Sequence, residues 1–196
     1  NNTGMVIVLE GAVEAANTAI SSTSGILTVG ANDGTVSTAN PTIKGTDTGI
    51  SASGGKLNFY DGNVKGAVGK SIVGTVTDVE DWHVLVKSTE NNIETALLKQ
   101  QYLIEYDANG GETAPEKQFK IHDQNITISS DILTRDFYVF KGWATTQDAT
   151  VSEYVPGATY SNNESATLYA VWVEAAASTT VGESTTYYET VQGAIN

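Results

Sequence analysis

The feature that most restricts the fold is the punctuation of residues 4 to about 98. Apolar runs of four or five residues are stopped again and again by glycine, asparagine or aspartate. Met5-Val6-Ile7-Val8-Leu9 stops at Gly11, and Ile26-Leu27-Thr28-Val29 stops at Gly30, followed by the turn Asn32-Asp33-Gly34. Thr42-Ile43-Lys44-Gly45, Gly49-Ile50-Ser51-Ala52 and Lys56-Leu57-Asn58-Phe59-Tyr60 come next, the last ending in Asp61-Gly62. Asn63-Val64-Lys65-Gly66 and Ser71-Ile72-Val73-Gly74 complete the series. Runs this short fall below helix length and far below a membrane span. They read as short strands joined by tight turns. The 19 glycines against 3 prolines agree, since glycine takes corner conformations that other residues resist.

One spacing within the series is informative. Ile43-Lys44-Gly45 returns as Val64-Lys65-Gly66, and each is followed by a further apolar strand, Gly49-Ile50 and Ser71-Ile72. A period in the low twenties fits one coil of a β-solenoid, in which like side chains stack inward as ladders. The alternative is an irregular β-sandwich; the short strands and frequent glycines favour a right-handed parallel β-solenoid-like region over residues 1–100. Trp82-His83-Val84-Leu85-Val86-Lys87 reads as its closing strand, Ser88-Thr89-Glu90-Asn91-Asn92 as a polar turn, and Thr95-Ala96-Leu97-Leu98 as a last strand, with a boundary near Lys99 to Gln101.

Beyond that boundary the texture changes to alternating aromatic strands. Tyr102-Leu103-Ile104-Glu105-Tyr106-Asp107-Ala108-Asn109-Gly110-Gly111 is a strand running into a glycine turn. Tyr102, Ile104 and Tyr106 share one face, Leu103 and Glu105 the other. Leu133-Thr134-Arg135-Asp136-Phe137-Tyr138-Val139-Phe140-Lys141-Gly142-Trp143 and Thr167-Leu168-Tyr169-Ala170-Val171-Trp172 follow. In order and spacing these three stretches resemble the Listeria-Bacteroides repeat, the module of the internalin-B B-repeat. The resemblance covers Tyr102 to Trp172 and implies a small β-grasp-like fold, a spacer, stalk or adhesion role in bacterial surface proteins, and no catalytic residues. Asp136 departs from the family, which usually has glycine before the aromatic. Read on their own, Tyr138, Phe140, Trp143, Tyr169 and Trp172 are core formers, because rings bury large areas in small β-domains. An aromatic sugar platform would instead need several rings exposed together.

The fold class expected is therefore all-β: a solenoid-like region over 1–100, the repeat module over 101–174, and a linker or tail with a short helix over 175–196. Chemistry is hard to find in it. The chain has no cysteine, which excludes disulfides, thiolate zinc and thiol nucleophiles. His83 and His122 lack ligand spacing. Neither a phosphate loop nor a nucleophile elbow occurs. Acid pairs such as Glu80-Asp81 are expected by chance among 23 acids. No catalytic residue, cofactor or metal is expected and the chain is read as non-enzymatic; calcium at Asn32-Asp33-Gly34, Tyr60-Asp61-Gly62 or Asp107-Ala108-Asn109 is the minor alternative to plain turns. A net charge of -13 disfavours nucleic acid and anionic membranes, and no run is long enough for membrane insertion.

The two ends are expected to complement each other. Met5, Val6, Ile7, Val8 and Leu9 form an apolar strand with little before it. Tyr188, Val191, Ala194 and Ile195 have helical spacing with little after them, and Tyr187 adjoins. Read from Asn196 into Asn1, the ends resemble the opening of solenoid coils in large bacterial surface proteins, where a short helix precedes the first strand. These ten residues are the candidate subunit junction. The expected partner is an identical neighbouring subunit or repeat, joined head to tail into a filament by self-assembly. An extracellular, cell-surface location goes with this. The alternatives are an adhesin module binding host glycan or protein, and an accessory part of a larger surface enzyme. Lys and Arg occur only from Lys44 to Lys141, so the junction is expected to rest on strand pairing and apolar burial, without salt bridges unless the tail meets a basic region.

Overall fold

The computed structural model describes residues 4–195. It is almost entirely β, and its backbone divides into two compact units that meet between Gln101 and Tyr102.

The strands of the first unit are β1 (Met5–Val8), β2 (Ala12–Ala15), β3 (Thr18–Ser22), β4 (Ile26–Val29), β5 (Thr42–Gly45), β6 (Thr48–Phe59), β7 (Asn63–Ala67), β8 (Ile72–Val79) and β9 (His83–Glu90). The following strand, β10 (Ile93–Asp107), gives its first part to this unit. Parallel pairing links them in three stacks. The first runs β1, β4, the second half of β6 and β8; the second β2, β5 and β7; the third β3, the first half of β6 and the start of β8. Register puts like residues above one another. Val6, Leu27, Leu57 and Val76 form one column, and Val8, Val29, Phe59 and Val79 another. Val13, Ile43 and Val64 form a third, Ile20, Ile50 and Ile72 a fourth. Ile43 and Val64, the two residues of the sequence repeat, are thus direct cross-strand partners. Leu27, Val29, Ile43, Ile50, Leu57, Phe59 and Val64 are fully buried. At about 1.5–3 kcal/mol for each such side chain, these columns are the main source of the unit's stability.

Coils this tight need bare backbone at their corners. A Cβ on Gly49 would lie 2.5 Å from the Ser71 carbonyl oxygen and 2.5 Å from a Val64 methyl. Gly55, at φ +81°, bends β6 between its two halves, and its backbone sits against Gly25 of the coil beside it. The two strands expected at 49–52 and 56–60 are therefore one bent strand.

Past the coils, β9 and β10 form an antiparallel hairpin around Asn91 and Asn92. Both residues have positive φ, 51° and 63°, as a two-residue turn matched to strand twist requires. Ser88, Thr89 and Glu90, expected as turn, are strand, and Trp82, expected in the strand, occupies the preceding turn at φ 59° with its ring exposed. Residues 93–97 of β10 run antiparallel to β7 and lower Ala96 and Leu98 onto the last coil.

The second unit contains the rest of β10 and then β11 (Gln118–Ile121), β12 (Ile126–Thr127), β13 (Tyr138–Ala144), β14 (Thr159–Tyr160), β15 (Ala166–Glu174), β16 (Ala177–Val181), β17 (Ser184–Tyr188) and α1 (Val191–Ile195). The strand expected at 95–98 is the first part of β10, which continues unbroken to Asp107. β15 lies between β10, to which it is parallel, and β13, to which it is antiparallel. Ile104, Tyr106, Ile128, Leu133, Trp143, Tyr160, Leu168 and Ala170 form the core. Rings meet at angles that suit their quadrupoles: Tyr106 and Phe140 approach Trp143 edge-on, with centroids 4.9 and 5.1 Å away. A bulge between Phe140 and Gly142 turns β13, and Gly142 there has φ +121° with the Tyr154 carbonyl where a Cβ would go. At the family departure, Asp136 enters a turn closed by Tyr138 N–H on Arg135 O, and Phe137 takes the left-handed conformation at φ 67°.

Candidate functional site

The candidate junction residues fall into two groups, one in each unit. The first group is the opening coil. Among the described residues β1, β2 and β3 are each paired along one edge only, to β4, β5 and β6. A column position shows the consequence. Leu27 and Leu57 are buried, whereas Val6 in the same column is 43% exposed. Val8, Val13 and Ile20 cap their columns half-buried. Met5, Ile7 and Leu9 are 63%, 48% and 55% exposed. The result is a row of large apolar side chains beside strand edges whose amides have no ladder, a combination that soluble domains normally blunt with charge or proline.

The second group is the tail. β16 and β17 pair as an antiparallel hairpin, Ala177 opposite Tyr188. Tyr188, expected on the helix, is the last residue of β17. α1 starts only at Val191, because Thr190 caps it by accepting the Gly193 N–H on Oγ1 at 3.1 Å. The Tyr187 ring packs on Phe137 with centroids 5.7 Å apart, and its hydroxyl donates to Asp136. Lys141 pairs with Glu189 at 2.7 Å. The tail therefore does reach a basic residue, within its own unit. Val191 and Ile195 project outward, 60% and 71% exposed, while Ala194 is half-buried. The join of Asn196 to Asn1 lies outside the described residues.

The other singled-out residues are occupied structurally. Asp33 accepts the Thr35 N–H and hydroxyl, and those bonds hold its carboxyl below the usual range. Asp61 accepts Ala31 N–H and Ser37 N–H, pinning the loop between β4 and β5. Asp107 accepts Asn109 N–H, and the Asn109 amide spans to Gln147 O and Ala170 O. No group of three acidic, histidine or cysteine side chains gathers among the described residues. His83 Nδ1 faces the Asp81 carbonyl and His122 Nδ1 the Tyr102 hydroxyl.

The sequence reading missed Glu94. It is buried on β10 beside the last coil, where it accepts hydrogen bonds from Gly69 N–H, Ser71 N–H and the Ser71 hydroxyl, with Lys87 Nζ 3.4 Å away. Burial alone would raise its pKa. The Ser71 hydroxyl and amide, the Lys87 charge and the Gly69 amide outweigh burial and hold it below the ordinary value. Its phase was the available signal: Glu94, Ala96 and Leu98 alternate onto one face.

The β13–β15–β10 sheet, with its bulge at Gly142 and the Trp143 core, is built from the three aromatic stretches that resemble the repeat. Residues 102–171 match the Listeria-Bacteroides repeat domain. No curated protein matches the chain, and no solved structure does. This repeat domain is typical of bacterial surface and extracellular proteins. In this chain it spans the core of the second unit, from Tyr102 to Val171. None of the described helices is long and apolar enough to cross a membrane.

Proposed function

We propose that the chain is a non-enzymatic structural element of the bacterial surface, a repeat or fibre subunit joined head to tail. The observation that carries this reading is the uncovered first coil. Met5, Val6, Ile7 and Leu9 stand exposed along a strand that is paired on one side only. A neighbour's tail completes the coil: Val191 and Ile195 supply apolar surface, and the β16–β17 hairpin supplies strand edges. Such a contact joins two different surfaces, so it propagates and does not close. Apolar burial and strand pairing hold the joint, and ionic strength has little effect on it.

Sedimentation velocity over a range of concentrations, with negative-stain imaging, tests this. The expected result is linear oligomers that persist in high salt and vanish in the Met5→Lys/Ile7→Lys double variant. Both replaced side chains point to solvent, so the subunit's circular dichroism stays the same. A monodisperse monomer at all concentrations, or polymers indifferent to the double variant, would overturn the proposal.

A further inference from the structure

The second unit contains a side-chain arrangement that the surface role does not use. Lys120, on β11, is completely buried, with 0% of its surface exposed. Its ammonium forms no ion pair among the described residues. Nζ donates to Asn163 Oδ1 at 2.6 Å and to the Ile121 carbonyl at 3.4 Å, and lies 5.6 Å from the centre of the Tyr102 ring. A buried amine without a countercharge is costly. Its close neighbour is an electrophile, the side-chain amide of a residue 43 positions away.

Asp123 holds that amide from two sides. Its N–H donates to Asn163 Oδ1 at 3.0 Å, and its carboxylate Oδ1 accepts from Asn163 Nδ2 at 2.9 Å. The conformation that permits both contacts is unusual, since Asp123 is left-handed at φ 61°. So one residue polarises the carbonyl and places a proton carrier on the nitrogen that would leave. These are the parts an acyl transfer needs: a nucleophile in contact, a donor where negative charge develops, and an acid–base group at the leaving atom.

We infer that Lys120 and Asn163 form an intramolecular isopeptide bond. Nζ gives up one proton and, as a neutral amine, attacks Cγ of Asn163, and the oxygen of the tetrahedral intermediate is held by the Asp123 N–H. The Nζ–Cγ bond forms as Cγ–Nδ2 breaks, and the electron pair of the broken bond leaves on nitrogen. The two protons that the lysine ammonium gives up pass by way of the Asp123 carboxylate to the departing group, which leaves as ammonium. The carboxylate is regenerated, and neither oxidant nor second reactant is required. In a chain with no cysteine, the bond ties β11 to the segment before β15 as a disulfide would, and it survives reducing conditions.

The test is intact-mass spectrometry of the denatured full chain with peptide mapping. The expected mass is that of the sequence less one ammonia, and the digest yields a branched peptide containing Lys120 and Asn163. Lys120→Arg and Asn163→Ala each restore the full sequence mass, and Asp123→Ala slows the loss in freshly made protein. A succinimide at Asn163 also loses ammonia, but it persists in Lys120→Arg and gives no branched peptide. The inference is overturned if wild-type protein keeps its full mass after long incubation with Lys120 and Asn163 on separate peptides, or if the ammonia loss survives Lys120→Arg. The wild-type map decides the matter even where a variant fails to fold.

Discussion

Replacing Glu94 by glutamine should destabilise the first unit in a pH-dependent way. Glutamine keeps an oxygen for the Ser71 N–H and hydroxyl but turns an NH2 toward the Gly69 N–H, which loses its acceptor. Gly69 is exposed, so water reaches the freed N–H and the lost bond costs only about 0.5–1.5 kcal/mol. The two bonds to Ser71 fall from charge-assisted to neutral, which removes about 1 kcal/mol more. Lys87 is 37% exposed and 3.4 Å away, so its ion pair adds little in water. The expected loss at pH 7 is thus about 1.5–2.5 kcal/mol. Because the folded-state pKa of Glu94 is depressed, its contribution is fully present above the ordinary glutamate value of 4.5 and disappears as pH falls through the lower folded value. Urea unfolding of wild type and Glu94→Gln at pH 7, and at steps below pH 4.5, measures both effects. The gap should narrow as the wild-type carboxyl takes up its proton. A gap under about 0.5 kcal/mol at pH 7, within the range of ordinary surface changes, refutes the clamp, and so does one that stays constant as pH drops.

Three further outcomes are expected. Gly49→Ala forces a methyl into the Ser71 carbonyl and the Val64 side chain, and should cost at least about 1–3 kcal/mol in the same urea assay. In the tail, Glu189→Gln breaks an ion pair whose lysine and glutamate side chains are 37% and 49% exposed, and should change stability by under about 0.5 kcal/mol. Tyr187→Ala removes the ring contact with Phe137, and should speed amide exchange across β16 and β17 while leaving the Trp143 core protected.

The coil columns were legible because their signal is local. A repeat of 21 residues between Ile43 and Val64 became a direct pairing, and the alternation of Tyr102, Ile104 and Tyr106 became one buried face. What could not be read depends on partners distant in sequence. Glu94 is an acid inside a core phase, and its reason lies at Gly69 and Ser71 on another turn of chain. Phe119 and Lys120 invert the usual expectation, the ring exposed and the amine enclosed, because Asn163 closes over the lysine from 43 residues away. Tyr188 fits helical spacing, yet hairpin pairing with Ala177 takes it first. The apolar character of the opening strand was plain, and its half-paired state followed from the stacking of the coils.

The corner between β4 and β5 has a practical consequence. Val13 meets Ile43 thirty positions on, while Ile43 meets Val64 after only 21, so one turn of chain carries nine additional residues and the stack regains its step immediately. That excursion is fastened by the side chains of Asp61, Asn63 and Glu80. Foreign peptide spliced at Asn32-Asp33, between the Ala31 and Gly34 amides that Asp61 and Glu80 hold, would be displayed without altering the columns beneath it, which makes this corner a natural port for decorating the scaffold.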